Sequence, residues 1–453
     1  MSGMLTDVID IGADHASLMR TVSEVVWPWI REQRWCPSAS PLDPSEESPP
    51  TPVSLWEFPR KSEDEETLVW ILLIRSPGGS LLQVPLLASP QEESPPTDHL
   101  PLGTVDQWGL YDATHSPLFW RAWGRQAEII TGSRAALLQA ASIIRIPTFE
   151  QSNTSVILEG GEKPLIAKVF RTLYPGRHPE VELPGALTQA DWAGVPALWA
   201  TWNFPVNGDD ATPVCSAVVS TVVDQAEDGF DFFVRLAEKE EDPRVPARSL
   251  GQITGQMHRL LADIFDTGDP LTSDALRARI ERSLADIGAE GISGLDEDSA
   301  LSAALSERLA TELGDGEEAW TTTRIHGDYH LGQTLISDGS WYVLDFEGEP
   351  LRPLEERSRP DVPLRDVAGM LRSFDYAWRA AHEEDLGSES EWTEAAQEAF
   401  LEGYASEISL TDSDVLLLDI LQIEKALYEA VYEARFRPRY QRVPLAALEA
   451  LAQ

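Results

Sequence analysis

The side chains of this sequence that could do chemistry are concentrated in residues 325–350, which read IHGDYHLGQTLISDGSWYVLDFEGEP. Acids, histidines and one glutamine stand between apolar runs that are typical of strands. A β-hairpin over this stretch would return the acids of DFE beside those of HGD. Carboxylate and amide oxygens are the ligands that Mg²⁺ prefers, so the stretch indicates metal-assisted chemistry.

The spacing inside this stretch matches a phosphoryl-transfer loop, where H-x-D is followed by a metal-binding amide five residues after the Asp. Here HGD is followed by Gln333, and Asp345 begins DFE, the counterpart of the kinase D-F-G. We therefore predict Asp328 as the catalytic base, with Gln333 and Asp345 as Mg²⁺ ligands. A metal hydrolase that uses His326, Asp328 and His330 as ligands is an alternative, but it leaves Gln333 and Asp345 without a role.

A kinase-like site also needs a strand lysine for the nucleotide phosphates and an acid on the next helix to orient that lysine. The run PLIAKVF provides Lys168, and a helix predicted at 180–191 provides Glu180 and Glu182, of which we favour Glu182. Ordinary alternation, with Lys168 facing solvent, is the alternative. The ATP phosphates are expected to meet the backbone near QSNTS. The candidate nucleotide contacts there are Ser152, Asn153 and Thr154.

Apolar periodicity predicts an α+β protein in which helices dominate the C-terminal half. We predict a helix at 14–34, a β-hairpin at 155–171 and a buried strand at 215–223. After DFE, Asp366 is placed to cap a helix, and we hypothesise that Arg365 reaches the carboxylates of DFEGE.

Three parts are expected along the chain. They are an N-terminal cap at 1–98, an N-lobe with a nucleotide-binding sheet at 99–223 and a mainly helical C-lobe at 224–453. Stretches rich in Pro, Ser and Glu at 36–52 and 88–103 cannot bury enough apolar surface to order themselves. We expect both to form surface loops.

The balance of charge is strongly acidic, with 35 Lys and Arg against 76 Asp and Glu and a formal net charge of −41. Binding to nucleic acid or to an anionic membrane needs a basic surface, so neither partner is expected. The two cysteines cannot form a disulfide framework, and the N-terminus lacks the basic and apolar segments of a signal peptide. We expect a cytoplasmic monomer that acts on small molecules.

The last long predicted helix, near 412–435, has two different faces. Aliphatic residues occupy one face, while Lys425, Tyr428, Glu429 and Tyr432 follow the other at i, i+3, i+4 and i+7. Aromatic and charged side chains suit a polyhydroxylated ring, so this face predicts a sugar-binding wall. A solvated face with helix-stabilising pairs is the alternative.

Taken together, these segments resemble the bacterial maltokinases and their close relatives, the glucosamine kinases. The resemblance covers most of the chain. It is carried above all by RIHGDYHLGQTL, by VLDFEGEPLRPLEERSRPDVPLRDVAGMLRSFDYA and by EKALYEAVYEARFRP. It implies a two-lobed, aminoglycoside-phosphotransferase-like kinase fold with an additional N-terminal cap.

The resemblance implies a sugar kinase that uses ATP and Mg²⁺ and converts maltose to maltose 1-phosphate for α-glucan synthesis. It gives Asp328 the role of base and Lys168 that of the phosphate lysine. The candidate acceptor contacts are His330, Asp328, Lys425, Tyr428 and Glu429.

The sequence departs from the maltokinase pattern after QRW and after EARFRP. The alternative is a glucosamine kinase that forms glucosamine 6-phosphate, with Glu429 as partner of the ammonium group. Another small-molecule kinase of the same fold and a catalytically silent binding module are the remaining alternatives.

Overall fold

The computed structural model divides the chain into two units. One combines Met1–Gly185 with Ala197–Val222, and the other combines Ala186–Pro196 with Val223–Gln453. The cap and the N-lobe predicted from sequence therefore lie in the same unit, and the three-part division stays a prediction. The structure describes residues 12–36, 49–59, 67–91, 101–147, 153–206, 212–290, 292, 295, 299–313, 318–349, 352, 354–382 and 390–452.

The N-terminal unit begins with a helix and an antiparallel sheet in the order β1-β2-β3-β5-β4. In β2, Trp70, Leu72 and Ile74 pack in one hydrophobic core, and Ile71 and Leu73 pack in a second core. Both faces of β2 are thus buried, and a shift of one residue in register would exchange them. The elements are α1 (Gly12–Arg31), β1 (Thr51–Glu57), β2 (Leu68–Arg75), β3 (Leu81–Pro90), β4 (Gly103–Val105) and β5 (Trp108–Asp112).

A second antiparallel sheet of this unit has the order β6-β11-β12-β9-β8-β7. The predicted hairpin at 155–171 is present as β8 and β9, and the predicted strand at 215–223 is β12 between β9 and β11. β10 pairs with β3 of the first sheet. The elements are α2 (Pro117–Gln126), β6 (Glu128–Ile129), α3 (Arg134–Ala140), β7 (Ile144–Arg145), β8 (Thr154–Leu158), β9 (Leu165–Val169), β10 (Thr172–Leu173), α4 (Pro179–Gln189), β11 (Leu198–Phe204) and β12 (Val214–Thr221).

The C-terminal unit is mainly helical, as predicted. Its two short sheets are β13-β16-β17 and β14-β15. The elements are β13 (Glu227–Asp228), α5 (Gly229–Glu238), α6 (Arg244–Ile264), β14 (Leu271–Thr272), α7 (Ser273–Glu290), α8 (Ala300–Leu313), β15 (Ala319–Trp320), β16 (Thr334–Ser337), β17 (Ser340–Val343), α9 (Leu354–Arg357), α10 (Leu364–Ala381), α11 (Glu391–Ala405), α12 (Asp412–Phe436) and α13 (Arg442–Leu451).

Small residues bring α6 and α11 together. A Cβ added to Gly251 would lie 2.0 Å from the carbonyl oxygen of Phe400, and one added to Gly403 would lie 2.0 Å from that of Arg248. Helix α10 packs beside α12 and α5 and carries Phe374 into a buried aromatic cluster with Phe233. Within the described part of the chain, no helix is both long enough and apolar enough to cross a membrane.

Candidate active site

Helix α10 fixes the backbone of the HGD loop. The Asp366 carboxylate accepts hydrogen bonds from the amides of His326 (2.8 Å) and Gly327 (2.9 Å), and its Oδ2 lies 3.1 Å from His258 Nε2. Gly327 has φ +85°, a conformation that side chains disfavour. The prediction that Asp366 caps α10 is wrong, because the N-cap is Pro363 and Asp366 lies in the first turn, bonded to a loop forty residues earlier.

Both ring nitrogens of His326 form hydrogen bonds with main-chain groups. Nε2 lies 2.7 Å from the Leu344 carbonyl oxygen, and Nδ1 accepts from the Asp328 amide at 3.3 Å. His330 Nδ1 accepts from the Gly332 amide, and burial holds the pKa of His330 below its usual value. These bonds disfavour the zinc-hydrolase interpretation. Over the described residues there is also no group of three or more His, Cys, Asp or Glu suited to a metal ion.

Asp328 is anchored through one of its two oxygens. Lys425 Nζ donates to Asp328 Oδ1 at 3.1 Å and to Glu349 Oε1 at 2.9 Å. The Asp328 side chain is 16% exposed. Burial would lower the pKa of Lys425, but the negative charges of Glu349 and Asp328 outweigh burial and raise it, so this lysine is an ammonium.

The hairpin of β16 and β17 brings Asp345 back to Gln333, as the sequence predicts. The Leu344 amide donates to the Gln333 carbonyl at 2.8 Å, and Gln333 Nε2 lies 3.3 Å from Asp345 Oδ2. Asp345 has φ +59°, a strained conformation of the kind found at functional sites. The Gln333 amide group and the Asp345 carboxylate lie side by side and carry oxygen donors of the kind that a hard cation such as Mg²⁺ prefers.

Lys168 has an acidic neighbour in the N-terminal unit, but the acid differs from the one we favoured. Its Nζ lies 3.9 Å from Glu180 Oε1, and both side chains are largely buried. Glu182 instead contacts Arg177 at 3.4 Å. This ion pair favours Glu180 over Glu182 as the acid that orients Lys168, because residues two apart on a helix point about 200° apart and α4 turns Glu180 toward the strand.

The expected nucleotide contacts are only partly visible. Ser152 lies outside the described residues. Thr154 begins β8, and its Oγ1 accepts from Arg171 Nε at 2.8 Å. Asn153 directly precedes the strand and is half-buried. Their contact with phosphates stays a prediction.

The predicted sugar wall on α12 is half-buried rather than solvated. The Lys425 Nζ lies 4.9 Å from the centre of the Tyr428 ring. Arg372 donates to Glu429 Oε2 through Nη2 (2.9 Å) and Nε (3.1 Å). Burial raises the pKa of Glu429, although Arg372 and Lys425 oppose that shift. Among the described residues, no donor reaches Glu429 Oε1.

Sequence reasoning gave Glu349 no role, although this residue contacts Lys425. It is 2% exposed and accepts from Arg365 and Arg352 as well. The hypothesis that Arg365 reaches the carboxylates of DFEGE is thereby confirmed. The sequence feature that could have identified Glu349 is its position as the last acid of DFEGE, shortly before several arginines.

Comparison with known proteins places this site in context. A family model described as "Phosphotransferase enzyme family" (APH) matches residues 144–405, which include Lys168, Asp328, Gln333 and Asp345. Two similar curated proteins are each named glucosamine kinase. The one from Streptacidiphilus jiangxiensis is 29% identical over 332 residues, covering 65% of this chain and 70% of the relative. The one from Mycolicibacterium smegmatis is 29% identical over 322 residues, covering 67% and 78%.

Solved structures similar to this chain include a glucosamine kinase, with a TM-score of 0.63 at 23% identity, covering 96% of this chain and 98% of that one. A glucosamine kinase in complex with glucosamine, ADP and inorganic phosphate has the same TM-score at 24% identity, covering 88% and 94%. At these identities the likeness concerns the fold. It confirms the predicted APH-like kinase fold with mixed helices and sheets.

Proposed function

Since the chain belongs to the APH phosphotransferase enzyme family, we propose that it is a glucosamine kinase, which transfers the γ-phosphate of ATP to a hydroxyl of glucosamine. The choice of glucosamine as the acceptor rests on the two similar curated proteins. Each is matched over about two thirds of this chain, and each is named glucosamine kinase. Maltose, the acceptor we favoured from sequence, has no such support and becomes the competing acceptor.

The arrangement around Asp328 supports its role as base. Lys425 binds Oδ1, and no donor among the described residues reaches Oδ2. The open oxygen would accept the proton of the attacking hydroxyl as the phosphoryl group arrives. His330 would border the acceptor and compete weakly for this proton, because its Nδ1 already accepts from the Gly332 amide and burial lowers its pKa.

The nucleotide side is proposed from the same family pattern. Lys168, oriented by Glu180, would neutralise the ATP phosphates, and Asn153 and Thr154 would approach them at the start of β8. Gln333 and Asp345 would hold Mg²⁺, which supplies positive charge to the transferring phosphoryl group. Phosphoryl transfer needs mainly positioning and charge stabilisation, and these side chains provide both.

Glu429 is our candidate for recognition of the amine. Both bonds from Arg372 reach Oε2, which leaves Oε1 for an ammonium group. A carboxylate in this position favours an amino sugar over a neutral sugar of the same shape, because its charge is otherwise only partly compensated. Glu429→Gln should therefore lower kcat/KM for glucosamine about tenfold or more and leave weak turnover of glucose nearly unchanged.

The experiment is an ADP-release assay with ATP and Mg²⁺ on glucosamine, maltose, glucose and an aminoglycoside. We expect turnover mainly on glucosamine. Asp328→Asn should lower kcat by about 10²–10⁴-fold, while Asp263→Asn, an exposed aspartate on α6, should keep wild-type activity. Turnover mainly on maltose would support the maltokinase hypothesis instead. ATP binding without turnover of any acceptor would favour the catalytically silent binding module.

A further inference from the structure

Six charged side chains of the C-terminal unit close into a ring of alternating sign, which we call the ion-pair ring. Each neighbouring pair is joined by an N···O contact of 2.5–3.3 Å. In order around the ring, the members are Arg279, Asp361, Arg365, Glu349, Arg352 and Glu424.

The ring is largely buried, although the Arg352 side chain is 26% exposed, and its charges are balanced. Glu349 is 2% exposed and Glu424 is 4% exposed. Three arginines face three carboxylates, so each charge has two partners of opposite sign. Such buried pairs are costly to break, because removal of one partner leaves the other uncompensated. The ring therefore holds its carboxylates in fixed positions.

Glu349 is the member that links the ring to the proposed base. Its Oε2 accepts from Arg365 and Arg352, and its Oε1 accepts from Lys425 Nζ at 2.9 Å. The same Nζ donates to Asp328 Oδ1 at 3.1 Å. Another acidic member, Glu424, directly precedes Lys425 in the chain, but its carboxylate binds Arg279 and Arg352 and makes no hydrogen bond or ion pair with the Lys425 ammonium group among the described residues.

This chain of contacts determines which oxygen of Asp328 is available. A lysine side chain has four rotatable carbon–carbon bonds and would otherwise sample many positions. Because Glu349 holds its ammonium group, Lys425 stays on Oδ1, and Oδ2 is left for a hydroxyl. General-base catalysis depends on such placement, since an error of about 1 Å can cost about 100-fold in rate.

We propose that Glu349 is a positioning residue for phosphoryl transfer: through Lys425 it orients the Asp328 carboxylate so that Oδ2 receives the proton of the acceptor hydroxyl. The proposal rests on the proposed function, because it assumes that Asp328 is the base of a kinase. It extends that function by assigning a role to a residue outside the proposed acceptor, nucleotide and metal contacts.

The test compares Glu349→Gln with Glu424→Gln, two buried ring members that differ in contact with Lys425. We expect Glu349→Gln to lower kcat about 100-fold with KM for ATP within about twofold of wild type. Glu424→Gln should destabilise the fold to a similar degree but keep kcat within about threefold once the folded fraction is matched. Thermal unfolding measures the stability of each variant. Initial rates at a temperature below the Tm of both variants then give kcat and KM.

A third variant separates position from charge. Glu349→Asp keeps the negative charge but shortens the side chain by one carbon, so it cannot reach the arginines and Lys425 together. We expect it to recover most of the stability and to leave kcat at least about tenfold below wild type. If Glu349→Gln does not fold, Glu349→Asp takes its place in the comparison with Glu424→Gln. Wild-type kcat in Glu349→Asp, or equal losses of kcat in Glu349→Gln and Glu424→Gln, would overturn the proposal.

Failure of the proposed function gives a different pattern. If wild type uses another acceptor of the panel, the same comparison is made with that acceptor. If wild type uses none, crystal structures of wild type and Glu349→Asp decide. Lys425 Nζ within 3.5 Å of Asp328 Oδ1 only in wild type supports the positioning role, and an unchanged contact in both contradicts it.

Discussion

At the scale of single residues, Lys168 lies beside Glu180, and Lys425 holds both Asp328 and Glu349. In the sequence, HGD, the amide of Gln333 and the acid of DFE were recognisable because their spacing is imposed by a short loop and a hairpin. The choice between Glu180 and Glu182 was not recognisable in this way. The rotation of α4 about its axis decides it, and that rotation depends on packing that no local pattern encodes.

Glu180→Gln should therefore lower kcat/KM for ATP about tenfold, because Lys168 loses the acid that orients it. Glu182→Gln is the matched control on the same helix and should change the value by less than twofold. Initial rates over a range of ATP at saturating acceptor measure both. Equal effects of the two variants, or a larger effect of Glu182→Gln, would contradict the assignment of Glu180.

At the scale of elements, the sequence predicted α10 but not its contact with the catalytic loop. Asp366 follows a proline by three residues, which is also the pattern of a helix start, so a cap was the natural local interpretation. The hydrogen bonds to His326 and Gly327 join residues about forty positions apart. Contacts of that range depend on the folded chain and leave no periodic signal.

Asp366→Asn should lower the free energy of unfolding by about 3 kcal/mol, because the amide replaces a buried acceptor of several hydrogen bonds. Burial alone would raise the pKa of Asp366, but the hydrogen bonds from His258 and the loop outweigh it and lower the pKa. A carboxylate with a lowered pKa stabilises the fold above its unfolded-state pKa and loses that effect as the pH falls through its folded-state pKa.

Urea unfolding from pH 7 downward checks both statements. Below about pH 4, the stability of wild type should fall more steeply than that of Asp366→Asn, which lacks this titrating group. Asp263→Asn should follow wild type at every pH. Parallel curves for wild type and Asp366→Asn would show that the carboxylate does not contribute to acid sensitivity.

At the scale of the whole molecule, composition limited the classes of partner but did not identify the acceptor. A net charge of −41 argues against nucleic acid as partner, yet the site itself balances its charges in ion pairs. The ion-pair ring could not be predicted, since its six members come from α7, α10, α12 and the segments between Glu349 and Asp361. Only the fold brings them together.

Salt should stabilise this protein. A chain with this excess of negative charge repels itself, and added salt screens that repulsion over about 10 Å at 0.1 M. Raising KCl from about 0.05 M to 0.5 M should raise Tm by about 2–4 °C, which corresponds to roughly 1 kcal/mol for the unfolding of a unit of about 200–250 residues. Sucrose of equal osmolality is the control for solute effects unrelated to charge. A Tm that falls with KCl would mean that attractive pairs outweigh the repulsion.

The division of the chain has a consequence for synthesis on the ribosome. The N-terminal unit is interrupted by Ala186–Pro196 and is complete only at Val222. In its second sheet, β9 is therefore synthesised before β12, the strand that pairs with it. At about 5–20 residues per second, the interval from residue 185 to residue 222 lasts about 2–7 s. During that time one edge of β9 has no partner strand, and an exposed edge is where a nascent chain mispairs or binds a chaperone.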